Sequence, residues 1–166
     1  MKHFIFITGL SGTGKTSLAN ALYKKILKKT KNIILLDGDI MRKNLEIFKM
    51  NKKSLYTKSQ RLKFAFFYVK LSKLLYDQDK IVILSTISLF EEIHNFNKKN
   101  FKNYTEVYLA NNINVLKKRK KIYKYKNVVG KDIKYDTPKK PTLILENTDI
   151  KKIKKLSSKI LKLIYK

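Results

Sequence analysis

Residues 9–16 read Gly9-Leu10-Ser11-Gly12-Thr13-Gly14-Lys15-Thr16, which matches the pattern G-x-x-x-x-G-K-[ST] in full. A short apolar run, Phe4–Thr8, precedes the segment and is typical of a buried strand, and a helical pattern begins at Ser17. Glycines allow the backbone to turn tightly, so that successive N–H groups can point at phosphate oxygens. The segment therefore predicts a loop that binds the phosphates of a nucleoside triphosphate.

The side chains of this loop indicate a nucleoside triphosphate and Mg²⁺ as its ligands. Lys15 supplies a compact charge for the β- and γ-phosphates, and Thr16 offers a hydroxyl to Mg²⁺. The helix that follows directs the positive end of its dipole at the anion. The residues of this segment that we expect to contact ATP are Gly9, Ser11, Gly12, Thr13, Gly14, Lys15, Thr16 and Ser17.

The rest of the chain alternates apolar strands with helical patterns. Strands are predicted at Phe4–Thr8, Ile33–Leu36, within Lys80–Thr86, at Thr105–Leu109 and at Thr142–Leu145. Helices are predicted at Ser17–Lys29, Ile40–Phe48, Arg61–Tyr76, Asn114–Tyr123 and Asp149–Tyr165, and irregular segments at Asn51–Thr57 and Tyr125–Pro141. This alternation predicts an α/β fold of three layers, the P-loop kinase fold, in which a five-stranded parallel sheet is flanked by helices. Without an internal repeat or a dividing linker, residues 1–166 are expected to form a single domain.

The strongly basic composition does not by itself predict nucleic-acid binding. The formal net charge is +27, but only three of the 39 basic residues are arginine (Arg42, Arg61 and Arg119). A protein that reads phosphates or bases favours arginine, because its planar fork matches those groups. Most lysines are therefore interpreted as solvated surface, and nucleic acid is not expected as a partner.

Other features argue against a membrane protein and against a transition-metal site. The apolar run at the N-terminus is too short for a signal peptide, and no stretch approaches the ~18 apolar residues that span a bilayer. A cytoplasmic protein without a membrane partner is expected. The chain has no cysteine, and its two histidines, His3 and His94, are isolated in sequence, which disfavours a site for a transition metal.

An acidic pair follows the second predicted strand. Asp37 and Asp39 lie where ligands collect in open α/β sheets, with Gly38 between them for a sharp bend. A carboxylate there can accept the proton of an acceptor hydroxyl or hold Mg²⁺ through water, although ordinary turn residues would give the same pattern. Arg42, one helical turn beyond Asp39, could bind a phosphate of the acceptor.

Taken together, these segments resemble adenylylsulphate kinases. The resemblance rests on Gly9–Thr16, on Leu36-Asp37-Gly38-Asp39 with Arg42 following, on Ile87-Ser88, on Lys118-Arg119 and on Asn127–Pro138. The last of these resembles the family's segment asparagine-phenylalanine-threonine-glycine…proline-tyrosine-glutamate-x-proline, with the same spacing.

The resemblance implies a homodimeric kinase that phosphorylates the ribose 3′-hydroxyl of a nucleotide with ATP and Mg²⁺. It makes Asp39 the first choice and Asp37 the second for the catalytic base, beside Lys15, and it assigns the metal to Thr16 and Asp37, directly or through water. Arg119 would contact ATP, and residues of about 120–138 would form a lid. The implied substrate-binding residues are Asp39, Arg42, Tyr56, Arg61, Ile87, Ser88, Lys121, Lys124, Val128 and Gly130.

Departures from the family cluster on the acceptor side. In the family, two phenylalanines sandwich the adenine. Tyr56 stands at the position of the first and keeps an aromatic ring, whereas Val128 stands at the position of the second and has none. The other departures are Ile40, Glu46, Phe64, Phe66, Phe67 and Leu89, together with a shorter lid between Tyr123 and Asn127. Core packing would explain any one of the phenylalanines, but together the changes favour a different acceptor.

One branch of the family fits such a change, namely the cytidine diphosphoramidate kinases of capsular polysaccharide synthesis. A pyrimidine needs less stacking surface than adenine, so cytidine 5′-diphosphoramidate is the expected acceptor. Adenylylsulphate itself is the alternative, and a nucleic-acid-stimulated P-loop ATPase is the alternative from another class.

Overall fold

The structure is a computed structural model and describes residues 1–45, 56–119, 121–146 and 152–165. Its strands are β1 (His3–Gly9), β2 (Ile33–Asp37), β3 (Ile81–Ser85), β4 (Tyr104–Ala110) and β5 (Leu143–Glu146). Its helices are α1 (Lys15–Leu27), α2 (Gly38–Leu45), α3 (Lys58–Asp77), α4 (Glu91–Asn100), α5 (Ile113–Arg119) and α6 (Ile153–Ile164), and a 3₁₀ helix spans Lys121–Lys124.

The strands form one parallel sheet in the order β2-β3-β1-β4-β5, so β1 is central and the phosphate loop leaves its carboxyl end. Alternate residues of β1 face opposite layers, because successive strand side chains point to opposite sides. Ile5 and Ile7 pack in the core that contains α1 and α6, whereas Phe4 and Phe6 pack in the core that contains α3 and α4. The predicted three-layer fold with a five-stranded parallel sheet is confirmed.

Helix α4 is the element that the sequence did not predict. The pattern is weak because the buried face of α4 carries His94 and Asn97 beside Ile93, so polar residues stand where a helix normally presents apolar ones. The helix is nevertheless favoured at its ends, with acidic residues in the first turn and lysines in the last turn.

Predicted helix boundaries differ from those of the structure. The helix predicted to reach Tyr123 ends at Arg119, and the 3₁₀ helix spans Lys121–Lys124. The closing helix begins at Ile153, and its predicted start, Asp149, lies outside the described residues. Residues 46–48 of the second predicted helix and 51–55 of the predicted loop lie outside the described residues. Within the described ranges, no helix is long and apolar enough to cross a membrane.

Candidate active site

The phosphate loop takes a backbone conformation that requires its glycines. Gly12 and Gly14 have φ angles of 81° and 94°, in the left-handed region where a side chain is strained. Gly14 is the N-cap of α1, so the loop runs directly into the positive end of the helix dipole. A Cβ on Gly9 would lie 2.6 Å from the carbonyl oxygen of Leu109. The missing side chain therefore allows the start of the loop to pack closely against β4.

Inside the loop, the Leu10 carbonyl oxygen accepts two side-chain hydrogen bonds. Lys15 Nζ donates to it at 2.8 Å and Thr13 Oγ1 at 2.9 Å. Burial lowers the pKa of Lys15 to about 8, while the negative charges of Asp39 and Asp37 act in the opposite direction. A desolvated ammonium bonded to one neutral carbonyl gains strongly from an anionic partner, which is what a triphosphate would supply.

Asp37 is held between the phosphate loop and the start of α2. Its Oδ2 accepts a hydrogen bond from Thr16 Oγ1 at 2.8 Å, and its Oδ1 accepts from the backbone N–H groups of Asp39 and Ile40. The side chain is therefore fixed, and the residue is only 8% exposed. A hydroxyl and a carboxylate that face each other are hard oxygen ligands, so this pair fits Mg²⁺.

Asp39 differs from Asp37 in that its side chain is 82% exposed. Its carboxylate lies 4.0 Å from Arg42 Nη1 and close enough to Lys15 to oppose the fall in that residue's pKa. It is thus open to solvent between the phosphate loop and a neighbouring pocket. A carboxylate in that place can accept a proton from a hydroxyl bound beside it.

The neighbouring pocket combines cations, hydroxyls and apolar side chains. The cations are Arg42, Arg61 and Lys134, the hydroxyls are those of Tyr68, Thr86 and Ser88, and the apolar residues are Ile87, Leu89, Phe90, Val129 and Ile133. Such a lining suits a ligand that has an anionic end, polar groups and an apolar face.

Two of these cations surround Tyr56. The guanidinium carbons of Arg42 and Arg61 lie 5.4 and 5.3 Å from the centre of its ring. Arg61 also donates through Nε to the carbonyl oxygen of Tyr56 and through Nη2 to that of Asn127, both at 2.9 Å. Burial, and then the charge of Arg42, lower the pKa of Arg61 to about 10. An anion bound between the two guanidinium groups would relieve their repulsion.

A family model described as adenylylsulphate kinase matches residues 1–146. The chain belongs to this family. The cytidine diphosphoramidate kinase of Campylobacter jejuni subsp. jejuni serotype O:2 is 38% identical over 154 residues, which cover 88% of this chain and 86% of that protein. The probable adenylyl-sulfate kinase of Archaeoglobus fulgidus is 30% identical over 154 residues, 88% of this chain and 96% of that protein.

Among solved structures, the Mycobacterium tuberculosis APS kinase in complex with AMPPNP and APS superposes with a TM-score of 0.82 at 22% identity, covering 99% of this chain and 98% of that one. The shikimate kinase of Aquifex aeolicus gives 0.61 at 20% identity, covering 96% and 95%. These likenesses concern the fold. Membership of the adenylylsulphate kinase family confirms the predictions of a phosphotransferase with an alcohol acceptor and of ATP and Mg²⁺ as its cofactors.

Part of the predicted acceptor side is closed by packing of the chain's own residues. Val128, in the position of the second stacking phenylalanine, is 6% exposed and packs with Leu10, Leu89 and Tyr123. We call residues 127–136, which include it, the acceptor loop. Gly130 in this loop has a φ of 86°, and a Cβ there would lie 3.0 Å from the Leu10 side chain, so the acceptor loop rests on the phosphate loop.

The remaining predicted residues fall into three groups. Ile87 and Ser88 line the pocket, and Ser88 Oγ forms a hydrogen bond with Thr86 Oγ1 at 3.1 Å. Lys124 is exposed, and so is Ser17 at the start of α1. The side chains of Arg119 and Lys121, and the whole of Glu46, lie outside the described residues.

The sequence analysis missed several residues that line the pocket, namely Tyr68, Thr86, Phe90, Val129, Ile133 and Lys134. Thr86 follows β3 as Gly38 follows β2, so the rule that ligands collect at strand ends would have identified it. A Cβ on Gly38 would lie 2.6 Å from Thr86 Oγ1, which explains the glycine between the two aspartates. No local pattern marks the others, because they reach the pocket from distant parts of the chain.

The phenylalanines that replace family residues on α3 do not all have the same environment. Phe64 is buried beside Tyr68, and the ring of Phe66 packs edge-on against Phe96, so core packing accounts for both. Phe67, by contrast, is 47% exposed, although its ring makes an edge-on contact with the ring of Tyr68, so burial in the core does not account for it.

The 3₁₀ helix is tied to the phosphate loop by Tyr123. Its hydroxyl donates to the Ser11 carbonyl oxygen at 2.9 Å, and burial, with Tyr135 as a second cause, raises its pKa to about 12. Tyr123 therefore stays a neutral donor at physiological pH. The hydrogen bond of Tyr123 thus connects the first part of the predicted lid, about residues 120–138, to the phosphate loop.

Proposed function

We propose that this protein transfers the γ-phosphate of ATP to the ribose 3′-hydroxyl of a nucleotide, and that cytidine 5′-diphosphoramidate is the acceptor. The observation that best supports a kinase reaction is the position of the Asp39 carboxylate. Its exposed carboxylate lies beside the phosphate-loop lysine, Lys15, and 4.0 Å from Arg42, which lines the pocket. A general base between a triphosphate site and an anion-binding pocket is the arrangement that a kinase needs.

On the nucleotide side, the backbone of the phosphate loop and Lys15 bind the phosphates of ATP, and Thr16 and Asp37 hold Mg²⁺, directly or through water. The other ATP contacts are Gly9, Ser11, Gly12, Thr13, Gly14, Ser17 and Arg119. When bound, Mg²⁺ neutralises charge on the transferred phosphoryl group. The hydrogen bonds from Thr16 and from the N-terminus of α2 already orient the Asp37 carboxylate toward the proposed Mg²⁺ site.

In the transfer step, the acceptor oxygen forms a bond to the γ-phosphorus while the bond from that phosphorus to the ADP oxygen breaks. Asp39 accepts the proton of the hydroxyl, and Asp37 is the second choice for that role. We prefer Asp39 because the carboxylate of Asp37 is already occupied by three hydrogen bonds, whereas that of Asp39 is open.

On the acceptor side, Arg42 and Arg61 bind the anionic end of the acceptor, and Tyr56 contributes one aromatic face. The remaining contacts are Asp39, Ile87, Ser88, Lys121, Lys124, Val128 and Gly130. The choice of a cytidine nucleotide is supported by the 38% identical cytidine diphosphoramidate kinase. It is also supported by Val128, which packs inward and offers no second ring, because a pyrimidine needs less stacking than adenine.

Adenylylsulphate is the second candidate acceptor. It is favoured by the adenylyl-sulfate kinases among the relatives and by the superposition on an APS kinase that was solved with AMPPNP and APS. The two candidates share the ribose hydroxyl and an anionic end, so they differ only in the base and in the group beside the α-phosphate.

We further propose a homodimer of single-domain subunits, each with a lid of about residues 120–138, that works in the cytoplasm, where ATP and nucleotide acceptors are made. Exposed apolar side chains of α3, Phe67 and Leu74, support an interface between copies. Sedimentation analysis of the wild type and of a Phe67→Ser variant would test it. A monomeric wild type would contradict the dimer.

A coupled assay of ADP release tests the acceptor. Cytidine 5′-diphosphoramidate, adenylylsulphate, CDP and AMP are compared at equal concentrations, and the position of the new phosphate is identified by ³¹P NMR. We expect the highest kcat/KM with cytidine 5′-diphosphoramidate and a product phosphorylated at the 3′ position. A higher kcat/KM with adenylylsulphate would select the second candidate, and hydrolysis of ATP without phosphorylation of any acceptor would overturn the kinase.

A further inference from the structure

A buried polar pair, His94 and Glu106, connects the sheet to the acceptor loop. His94 lies on α4 and Glu106 on β4, and His94 Nδ1 is 2.7 Å from Glu106 Oε1. The other ring nitrogen, Nε2, is 3.3 Å from the backbone carbonyl oxygen of Asp136. His94 and Glu106 are 3% and 1% exposed, so these contacts exclude water. The sequence suggested an isolated histidine, and the structure shows one with a partner on each ring nitrogen.

The two contacts fix how many protons the pair holds. The carbonyl oxygen of Asp136 can only accept, so Nε2 must carry a proton to bond with it. The short contact between Nδ1 and Oε1 needs a second proton, on either the ring or the carboxyl group. The pair therefore holds two protons and is neutral as a unit, either as an imidazolium with a carboxylate or as an imidazole with a carboxylic acid.

The surroundings favour this neutral form. A neutral histidine with its proton on Nδ1 would leave a net negative charge on the buried Glu106 carboxylate, and its unprotonated Nε2 would face a second acceptor, the Asp136 carbonyl oxygen. Burying an uncompensated charge is costly. Of the other titratable groups nearby, burial, with Glu106 as a second cause, raises the pKa of Tyr104, so that group stays neutral. The Asp136 carboxylate accepts from the N–H of Glu91, and the ring of Phe6 packs on the remaining side of His94.

Asp136 is the point at which the acceptor loop is fastened. Besides the contact from His94, its N–H donates to the Leu89 carbonyl oxygen at 3.0 Å, and its carboxylate accepts from the first backbone N–H of α4 at 3.2 Å. At the other end of the loop, Arg61 donates to the Asn127 carbonyl oxygen. Val129, Ile133 and Lys134, which line the pocket, lie between these two ends. The position of the pocket wall thus depends on both attachments.

We infer that His94 is a positioning residue for the acceptor site: its Nε2 proton, held in place by Glu106, fastens Asp136 and so sets the position of the acceptor loop. The inference deepens the proposed function and rests on it for the identity of the acceptor. It concerns the acceptor rather than ATP, because the hydrogen bonds that the described residues give His94 go to β4 and the acceptor loop.

Ring NMR of the full-length wild type tests the proton count without any need for turnover. The chain has two histidines, so a long-range ¹H–¹⁵N spectrum contains two rings, and a His3→Asn variant assigns them. At pH 7 we expect a proton on Nε2 of His94 together with a proton in the Nδ1–Glu106 bond. Nε2 without a proton at pH 7 would overturn the inference, whatever the activity of the enzyme.

A pair of variants at His94 then separates its two bonds. In His94→Gln the amide nitrogen lies near the position of Nε2 and can still donate to Asp136, whereas in His94→Asn it lies near Nδ1 and reaches only Glu106. Each variant loses one bond, so a purely structural role predicts similar losses of stability and activity. The positioning role predicts an acceptor KM about tenfold higher in His94→Asn than in His94→Gln, with equal KM for ATP. Equal acceptor KM values in the two variants would contradict it.

His3→Asn is the matched control, and Glu106→Gln is the conservative variant of the pair. In Glu106→Gln the carboxamide can donate to Nδ1 while Nε2 keeps its proton for Asp136, so the acceptor KM should lie closer to that of His94→Gln than to that of His94→Asn. His3 lies on β1 and bonds to Thr105 Oγ1 at 2.8 Å, so its loss should reduce stability without changing the acceptor KM. Calorimetry measures acceptor affinity without turnover, so it tests the role of His94 separately from the proposed reaction. A wild type that binds an acceptor without phosphorylating it would contradict the proposed function but not the positioning role of His94.

Discussion

The nucleotide side and the acceptor side of the site are built in different ways. On the nucleotide side, eight consecutive residues form the loop, and positive φ angles at its glycines fix its shape. On the acceptor side, the lining comes from α2, α3, the end of β3 and the acceptor loop, and each part is held by contacts with another. The phosphate loop therefore depends on one short segment of sequence. The acceptor pocket depends on several distant segments, and a substitution in any of them can alter it.

The two sides also differ in their electrostatics. On the nucleotide side one half-buried ammonium, that of Lys15, donates to a neutral carbonyl oxygen and would gain an anionic partner from a bound triphosphate. On the acceptor side two guanidinium groups, Arg42 and Arg61, lie around one tyrosine ring, and burial and then the charge of Arg42 lower the pKa of Arg61. Substitutions should therefore divide by side, with effects on ATP or on the acceptor but not equally on both.

The largest effect is expected from Lys15→Ala. In the proposed reaction the lysine is the phosphate-loop cation that binds the transferred phosphoryl group, so its removal should lower kcat/KM about 1,000-fold, with weaker ATP binding as well. Steady-state kinetics with both substrates varied would measure it. Lys24→Ala, which removes an exposed lysine from the same helix, is the control and should match wild type.

A second prediction separates the two aspartates. Asp39→Asn should lower kcat roughly 100-fold while leaving the Kd for ATP within about twofold, because the carboxylate acts on the acceptor hydroxyl. Asp37→Asn should instead weaken the dependence on Mg²⁺ and destabilise the start of α2, since it weakens three hydrogen bonds. Equal kcat in wild type and Asp39→Asn would remove Asp39 from the mechanism.

Arg61→Lys tests whether the acceptor side responds alone. A lysine cannot reproduce the forked contacts with Tyr56 and Asn127, so the acceptor KM should rise about tenfold while the KM for ATP stays unchanged. The measurement is a pair of saturation curves, one for each substrate. A parallel rise in both KM values would show that the two sides are not independent.

The smallest effect concerns pH. In the free protein the pKa of Lys15 is about 8, and bound phosphates would raise it, so nucleotide binding takes up a proton above pH 8. Affinity for ATP should accordingly be constant well below pH 8 and fall about fivefold between pH 8 and pH 9.

Calorimetry in buffers of different ionisation enthalpy would measure the proton uptake. Lys15→Met should abolish both the uptake and the pH dependence. A pH-independent affinity in the wild type would show that the lysine is charged throughout.

Sequence patterns predicted much of the fold, and the exceptions have physical causes. The five strands were recognised mainly from their apolar residues, although β4 also carries Thr105 and Glu106. The side chains of β1 alternate between two cores. Helix α4 was missed because His94 and Asn97 occupy its buried face. There His94 contacts polar partners from β4 and the acceptor loop, and Asn97 Nδ2 donates to the Tyr104 hydroxyl at 3.5 Å. A pattern that counts only apolar residues cannot detect a helix whose buried contacts are hydrogen bonds.

The sequence by itself determined the phosphate loop, because the loop's geometry depends on the φ angles of neighbouring residues and on which of them lack a Cβ. It also placed the two aspartates at a strand end, although only the structure distinguishes a fixed Asp37 from an open Asp39. The lining of the acceptor pocket and the pairing of His94 with Glu106 were decided by the tertiary structure. Those residues are brought together by the order of the strands and the packing of α3 and α4, and no spacing along the chain records that order.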